Sequence, residues 1–182
     1  MAEPRRYGFH ATLKAPFNLY ASCREAQLVS ALHSLAGLGH AIPALTPAVR
    51  MLNGFAAIVR AAASPAIGDL AAKCTTIFDA FRAPMAAQER ARRVASGLNQ
   101  SQIANLDRWG YPYLFADFRF HMTLTSRIDV ERRDDVLATL QKTLGRACKD
   151  RALAIARISL VRQNDANTPF RVIEQATLRA AR

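Results

Sequence analysis

The sequence predicts an α+β fold: two β-α-β-β units with antiparallel sheets, set around a central cleft and separated by a helical insert. Three observations predict it. Short runs of alternating apolar and polar residues, bounded by turn formers, occur in both halves of the chain. Between them lie stretches with apolar residues at helical spacing. Finally, His10-Ala11-Thr12-Leu13 is echoed 111 residues later by His121-Met122-Thr123-Leu124, each copy following a phenylalanine. A duplicated unit is the simplest origin of such an echo.

The elements follow in order. Tyr7 to Ala15 reads as a strand with Phe9, Ala11, Leu13 and Ala15 on its core face. Residues 23–38 carry Ala26, Val29, Leu32 and Leu35 at helical spacing, with Ser22 as N-cap and Gly37 or Gly39 as stop. Runs 47–52 and 55–62 flank Asn53-Gly54, a dipeptide that suits a tight hairpin because both of its residues tolerate positive φ. Residues 66–82 read as a helix broken by Pro84, 86–97 as a helix with a basic face (Arg90, Arg92, Arg93), and 99–108 as a third ending at Trp109-Gly110. A strand at 117–128, a helix at 131–145, and strands at 152–163 and 170–178 around a turn-rich 164–169 complete the second half. No Gly, Ser or Pro linker divides the chain. The expectation is therefore one bilobal domain over 1–182, with lobe one at about 1–63, the insert at 64–113 and lobe two at 114–182.

Composition narrows the function classes. The chain has 182 residues, of which 51% are hydrophobic and 21% charged, so disordered and fibrous classes are excluded. The formal net charge of +11 attracts anions, which makes phosphates or nucleic acid the natural partners. Cys23, Cys74 and Cys148 are odd in number and widely spaced, so they suggest neither a disulfide framework nor a Cys-x-x-Cys site. No apolar run reaches the ~18 residues of a membrane span and no secretory leader is visible, so a cytoplasmic protein without membrane attachment is expected.

The two histidine strands carry the chemistry. Alternation puts Arg6, Gly8, His10, Thr12 and Lys14 on one polar face, and Arg119, His121, Thr123, Thr125 and Arg127 on another. If these faces converge, two imidazoles, two hydroxyls and several cations line one cleft. Hydroxyl and cationic donors stabilise charge building on phosphate oxygens. Two imidazoles titrating near neutrality can act as general base and general acid. Metal ligation is not expected, because no His-x-x-x-His or Glu-x-x-His spacing is present. His33 and His40 read as structural or solvated. Lys14 and Arg119 are candidates either for anion binding or for keeping a sheet edge soluble. Tyr7, Trp109, Tyr111 and Tyr113 could stack on a base or fill the core. Arg90 to Arg93 read as a solvated helix face.

Paired His-hydrophobic-Thr-hydrophobic motifs about a hundred residues apart resemble the 2H phosphoesterase superfamily, which includes the LigT-like, "RNA ligase" type of RNA 2′,3′-cyclic phosphodiesterase. The blocks at 5–17 (RRYGFHATLKAPF), 78–84 (FDAFRAP), 109–113 (WGYPY) and 118–125 (FRFHMTLT) resemble one branch, the phosphonate-metabolism proteins encoded near carbon–phosphorus lyase genes. The resemblance implies a bilobal fold with pseudo-two-fold symmetry. It implies a reaction that needs neither metal nor other cofactor: hydrolysis of a small cyclic phosphodiester, a cyclic nucleotide or ribose cyclic phosphate. His10 and His121 would be the acid/base pair, and Thr12 and Thr123 would bind phosphate oxygens. Lys14, Arg119, Tyr7 and Tyr111 are the further substrate-binding candidates. The partner would be a phosphate-containing small molecule or an RNA end. Members of that family begin with about fifty residues before the first motif, whereas Met1 here lies nine residues from His10. The first lobe would then lack its N-terminal strand, through a misassigned start, a shortened chain or degeneracy, with an exposed sheet edge as the consequence. The alternatives to an enzyme are a basic RNA-binding or RNA-end-processing protein and a truncated inactive homologue.

Overall fold

A computed structural model describes residues 8–39, 42–148, 152–165 and 168–179. It is a mixed α+β structure with five α-helices and two small antiparallel sheets among these residues. The helices are α1 (Glu25–Gly37), α2 (Pro65–Phe78), α3 (Ala87–Val94), α4 (Gln100–Trp109) and α5 (Arg133–Cys148). The strands are β1 (Pro47–Leu52), β2 (Phe55–Arg60), β3 (His121–Thr123), β4 (Arg157–Arg162) and β5 (Arg171–Thr177).

Helix ends follow local chemistry. The Arg24 amide donates to the Gln27 side chain at 2.7 Å, so the cap of α1 is Arg24 rather than Ser22. Helix α2 opens on Pro65, whose missing N–H would have had no helical partner there. At α4, Asn99 accepts from the Gln102 amide while Gln102 reaches back to the Asn99 amide, and Gly110 closes the helix at φ 76°. The buried stripe of α1 is Leu28, Leu32, Leu35 and Ala36. Ala26, expected inside, is exposed. An i, i+4, i+7, i+8 stripe therefore wins over the expected one, because it places three leucines against the core.

The first sheet runs β1-β2-β3, and the Asn53-Gly54 hairpin sets its register. Asn53 has φ 48° and Gly54 φ 94°, the primed-turn geometry that pairs Leu52 with Phe55 and Arg50 with Ala57. Strand β3 adds antiparallel to β2, with Ala57 opposite Thr123 and Val59 opposite His121. A single bridge, Ala11 with Met122, then joins the first histidine segment to the far edge of β3. The second sheet is the β4-β5 hairpin.

Each sheet is covered by the helix of the other half of the chain. Leu137, Leu140 and Leu144 of α5 pack on Val49, Ala56 and Ile58 of the first sheet. The leucines of α1, with Leu70, Cys74 and Phe78 of α2, pack on Ile158 of β4 and Ala176 of β5. A third cluster of Leu45, Ile67 and Phe120 lies between them, with Ala11 and Met122 against it. Leu45 and Leu153 exchange backbone hydrogen bonds of 2.9 and 2.8 Å, which ties the two halves together again.

Two strands are shorter than the alternation suggests. Of residues 117–128 only 121–123 are regular strand. Residues 115–117 form a 3₁₀ turn entered through Phe115 at φ 54°, which halts the ladder. Beyond Thr123, the Leu124 and Thr125 amides both turn onto the Ala56 carbonyl. The segment expected as a strand at 7–15 makes one bridge, at Ala11. Phe9, expected in the core, is 62% exposed, and among the described residues no partner strand extends opposite it.

Candidate functional site

The bridge between Ala11 and Met122 fixes the geometry of the site. Both side chains belong to the apolar face, in one row with Ile58 and Val49. Their neighbours therefore point to the opposite face. In an antiparallel pair centred on Ala11 and Met122, His10 lies across from Thr123 and Thr12 lies across from His121. Residues directly across are about 5 Å apart at Cβ, and diagonal neighbours about 7–8 Å. That register puts the four side chains on the same side of the pairing, each histidine nearest the other motif's threonine.

Both rings are oriented in the same way. His10 Nδ1 lies 3.0 Å from the Gly8 carbonyl and His121 Nδ1 lies 2.8 Å from the Arg119 carbonyl. A carbonyl only accepts, so each Nδ1 carries the proton and each Nε2 is left to exchange one. Gly8 holds φ 66°, a conformation that costs glycine little and turns its carbonyl under the His10 ring. His10 Nε2 lies 3.2 Å from the Thr12 hydroxyl. The His121 ring packs beside Phe55, with centroids 6.0 Å apart and planes at 49°. His10 is exposed, and His121 and Thr123 are half-buried, so a solute can reach all three.

The remaining candidates lie in different places. Arg119 is exposed and contributes its carbonyl to His121. Lys14 has left the histidine face. Its Nζ donates to the Thr75 carbonyl at 3.2 Å and pairs with Asp79 at 3.6 Å, and its side chain is only 10% exposed. Burial lowers its affinity for a proton, and Asp79 opposes that. Asp79 also holds Arg82 at 2.7 Å and Arg108 at 3.6 Å. Tyr111 shares a narrow cleft with Lys14, Arg82 and Trp109, and burial pushes its phenol up. Its ring meets Tyr113 edge-on, with the Arg93 guanidinium 5.8 Å from its centre. Tyr7 lies outside the described residues, as does His40. His33 is exposed and 3.7 Å from Glu174.

Two of the insert's arginines are paired: Arg90 binds Asp107 through both oxygens at 2.6 and 2.8 Å, and Arg93 binds Glu89. Both contacts satisfy the helices themselves and leave no continuous basic track. Among the described residues no cluster of three His, Cys, Asp or Glu side chains could hold a metal ion, and no helix is long and apolar enough to cross a membrane. Phe55 was not foreseen as part of the site. The Asn-Gly hairpin gives its register with β1, but nothing local shows that β2 pairs with β3.

Comparison with known proteins gives the relationship. The family model described as "Protein of unknown function (DUF1045)" matches residues 12–171, beginning at Thr12 within the first histidine motif and including the second. The chain belongs to the DUF1045 family. Two curated proteins are similar to it, both named ribose 1,5-bisphosphate phosphokinase PhnN. The one from Janthinobacterium sp. (strain Marseille) is 39% identical over 173 residues, covering 93% of this chain and 38% of the relative. The one from Laribacter hongkongensis (strain HLHK9) is 38% identical over 129 residues, covering 71% of this chain and 30% of the relative. The chain thus spans roughly a third of the length of each of these relatives. These names correct one expectation. The relatives are named for a kinase, which transfers a phosphoryl group, and not for the cyclic-phosphodiester hydrolase that the paired motifs suggested.

Proposed function

We propose that this DUF1045 chain binds a phosphorylated ribose and handles protons during phosphoryl chemistry on it, in phosphonate-related metabolism. The observation that supports the reading is the Ala11–Met122 bridge, whose antiparallel register puts His10, Thr12, His121 and Thr123 on the same side of the pairing. Thr123 donates its hydroxyl hydrogen bond to a phosphate oxygen, and Thr12 does so once His10 Nε2 is protonated and no longer accepts from the Thr12 hydroxyl. His10 and His121 exchange protons through Nε2, their Nδ1 atoms being committed to backbone carbonyls. The relatives' names supply the sugar phosphate as the substrate class. The paired motifs and the crossed packing of helices on sheets support a pseudo-two-fold, bilobal unit of the 2H superfamily. In that unit the site lies where the halves meet. Three free thiols suit a cytoplasmic setting.

The test is calorimetric titration with ribose 5-phosphate and ribose 1,5-bisphosphate, with phosphorus NMR following the fate of each phosphate. Wild type should bind at least one of them, and His10→Ala or His121→Ala should weaken binding or slow the phosphoryl step by about a hundredfold. Equal behaviour of wild type and the double histidine variant would refute the reading.

A further inference from the structure

The segment that carries His10 and Thr12 is thinly attached. Ala11 pairs with Met122, and Leu19 pairs with Arg82 eight residues later. At the second point the Tyr20 amide donates to the Phe81 carbonyl and the Ala83 amide to the Asn18 carbonyl, each at 2.8 Å. Between the two, the backbone of residues 13–17 makes no hydrogen bond among the described residues. Leu13 and Phe17 pack against the leucines of α1, but apolar contact is non-directional and fixes no single position. The directional tie is Lys14. Its Nζ donates to the Thr75 carbonyl at 3.2 Å and lies 3.6 Å from Asp79. The two side chains are 10% and 12% exposed, so the pair is largely out of water, where attraction between charges is strengthened. Asp79 is itself fixed from the other side, by Arg82 at 2.7 Å and Arg108 at 3.6 Å. Arg82 in turn donates to the Arg108 carbonyl at 3.1 Å. Lys14 therefore takes its position from Asp79, not Asp79 from Lys14.

We propose that Asp79 is a positioning residue: acting through Lys14, it sets His10 and Thr12 at their working distance from His121 and Thr123. As a statement about ligand binding this rests on the preceding reading of the site. Lys14 lies two residues beyond Thr12, so roughly 7 Å of extended chain separates the tied residue from the site. The Ala11–Met122 bridge holds the segment on one side of Thr12 and the Lys14–Asp79 pair holds it on the other. Without the second tie, one bridge is left to fix both the distance and the tilt of the first motif. His121 and Thr123 have a separate support, because they stand on β3 and pair with Val59 and Ala57 of β2. Loss of the tie should thus displace one histidine and spare the other. Lys14 serves the site from behind, through the chain, rather than by touching the ligand.

The test reads the histidine rings of the ligand-free protein by nitrogen-15 NMR in wild type, Lys14→Met, Asp79→Asn and Arg90→Met. Lys14→Met and Asp79→Asn should move the His10 ring signals and leave those of His121 in place. Arg90→Met removes an exposed ion pair with Asp107 and should move neither. Titration with ribose 5-phosphate follows. Lys14→Met should weaken binding about tenfold in the wild-type chain. In a chain carrying both His10→Ala and Thr12→Val, read from the His121 ring, it should weaken binding less than about twofold. Equal weakening in both backgrounds would show Lys14 touching the ligand itself and overturn the proposal. Unmoved His10 signals, or equal movement of both rings, would also overturn it, and binding by wild type would leave the site reading intact. No binding by wild type, with His10 alone moved, would remove the site reading and keep Asp79 as the residue that places His10. Where Lys14→Met or Asp79→Asn does not fold, Asp79→Glu keeps both charges and displaces only the carboxylate. It should shift the His10 signals alone, and unmoved signals would overturn the proposal.

Discussion

Each imidazole of the site is tied by Nδ1 to a carbonyl two residues upstream, and this pins the ring. Thr12→Val and Thr123→Val remove a hydroxyl from this face without changing side-chain shape. Each should weaken phosphate binding by about tenfold and leave the fold intact, as binding titrations and thermal melts would show. A second residue-scale prediction concerns the thiols. Burial among the leucines of α1 pushes the Cys74 thiol up to about 12, whereas Cys23 and Cys148 are half-exposed. At pH 8 an alkylating reagent should modify Cys74 at least about a hundredfold more slowly than the other two, as mass spectrometry of the labelled peptides can show. The pairing of motifs was legible at this scale because strand alternation puts each histidine and its threonine on one face. Lys14 was misread by the same rule. Without a continuing ladder past Ala11, nothing held its side chain to that alternation, and the carboxylate of Asp79 drew it inward.

At the scale of elements, the hairpin between β1 and β2 sets the register of the site. Gly54 sits at φ 94°, and a Cβ added there would lie 3.4 Å from an Arg133 nitrogen. Gly54→Ala should destabilise the protein by about 1–2 kcal/mol, seen as a lowered denaturant midpoint with unchanged slope. Asp79 at the end of α2 is the counterpart among the side chains. It faces Lys14, Arg82 and Arg108, and its own side chain is 12% exposed. Asp79→Asn leaves these cations without their carboxylate and should cost about 3 kcal/mol. It would also lower the Lys14 proton affinity further, since Asp79 is what raises it. The folded protein then binds fewer protons at Lys14 than the unfolded chain does. In the variant the stability should therefore rise with pH through the alkaline window between the lowered folded pKa and the ordinary lysine value. Helices and hairpins were legible from periodicity and turn residues. The truncation of β3 was not, because it depends on the 3₁₀ turn at 115–117, which alternation cannot reveal.

At the scale of the whole molecule, each half supplies the helix that covers the other half's sheet. A fragment ending before β3 would leave Val49, Ala56 and Ile58 without α5, and α1 without β4 and β5. Such a fragment should show no cooperative thermal transition, while the full chain shows one. The order of elements was legible in the sequence. Their crossed packing was not, since it is fixed by contacts between residues more than eighty positions apart, such as the Gln141 side chain with the Val49 carbonyl. The same crossing brings residue 11 against residue 122 and so assembles the site. Nitrogen-15 NMR of the histidine rings during titration with ribose 5-phosphate examines that assembly most directly. The Nε2 resonances of His10 and His121 should move together and saturate at one ligand concentration. Movement of one ring alone, or of the two on separate binding curves, would contradict a single shared anion site.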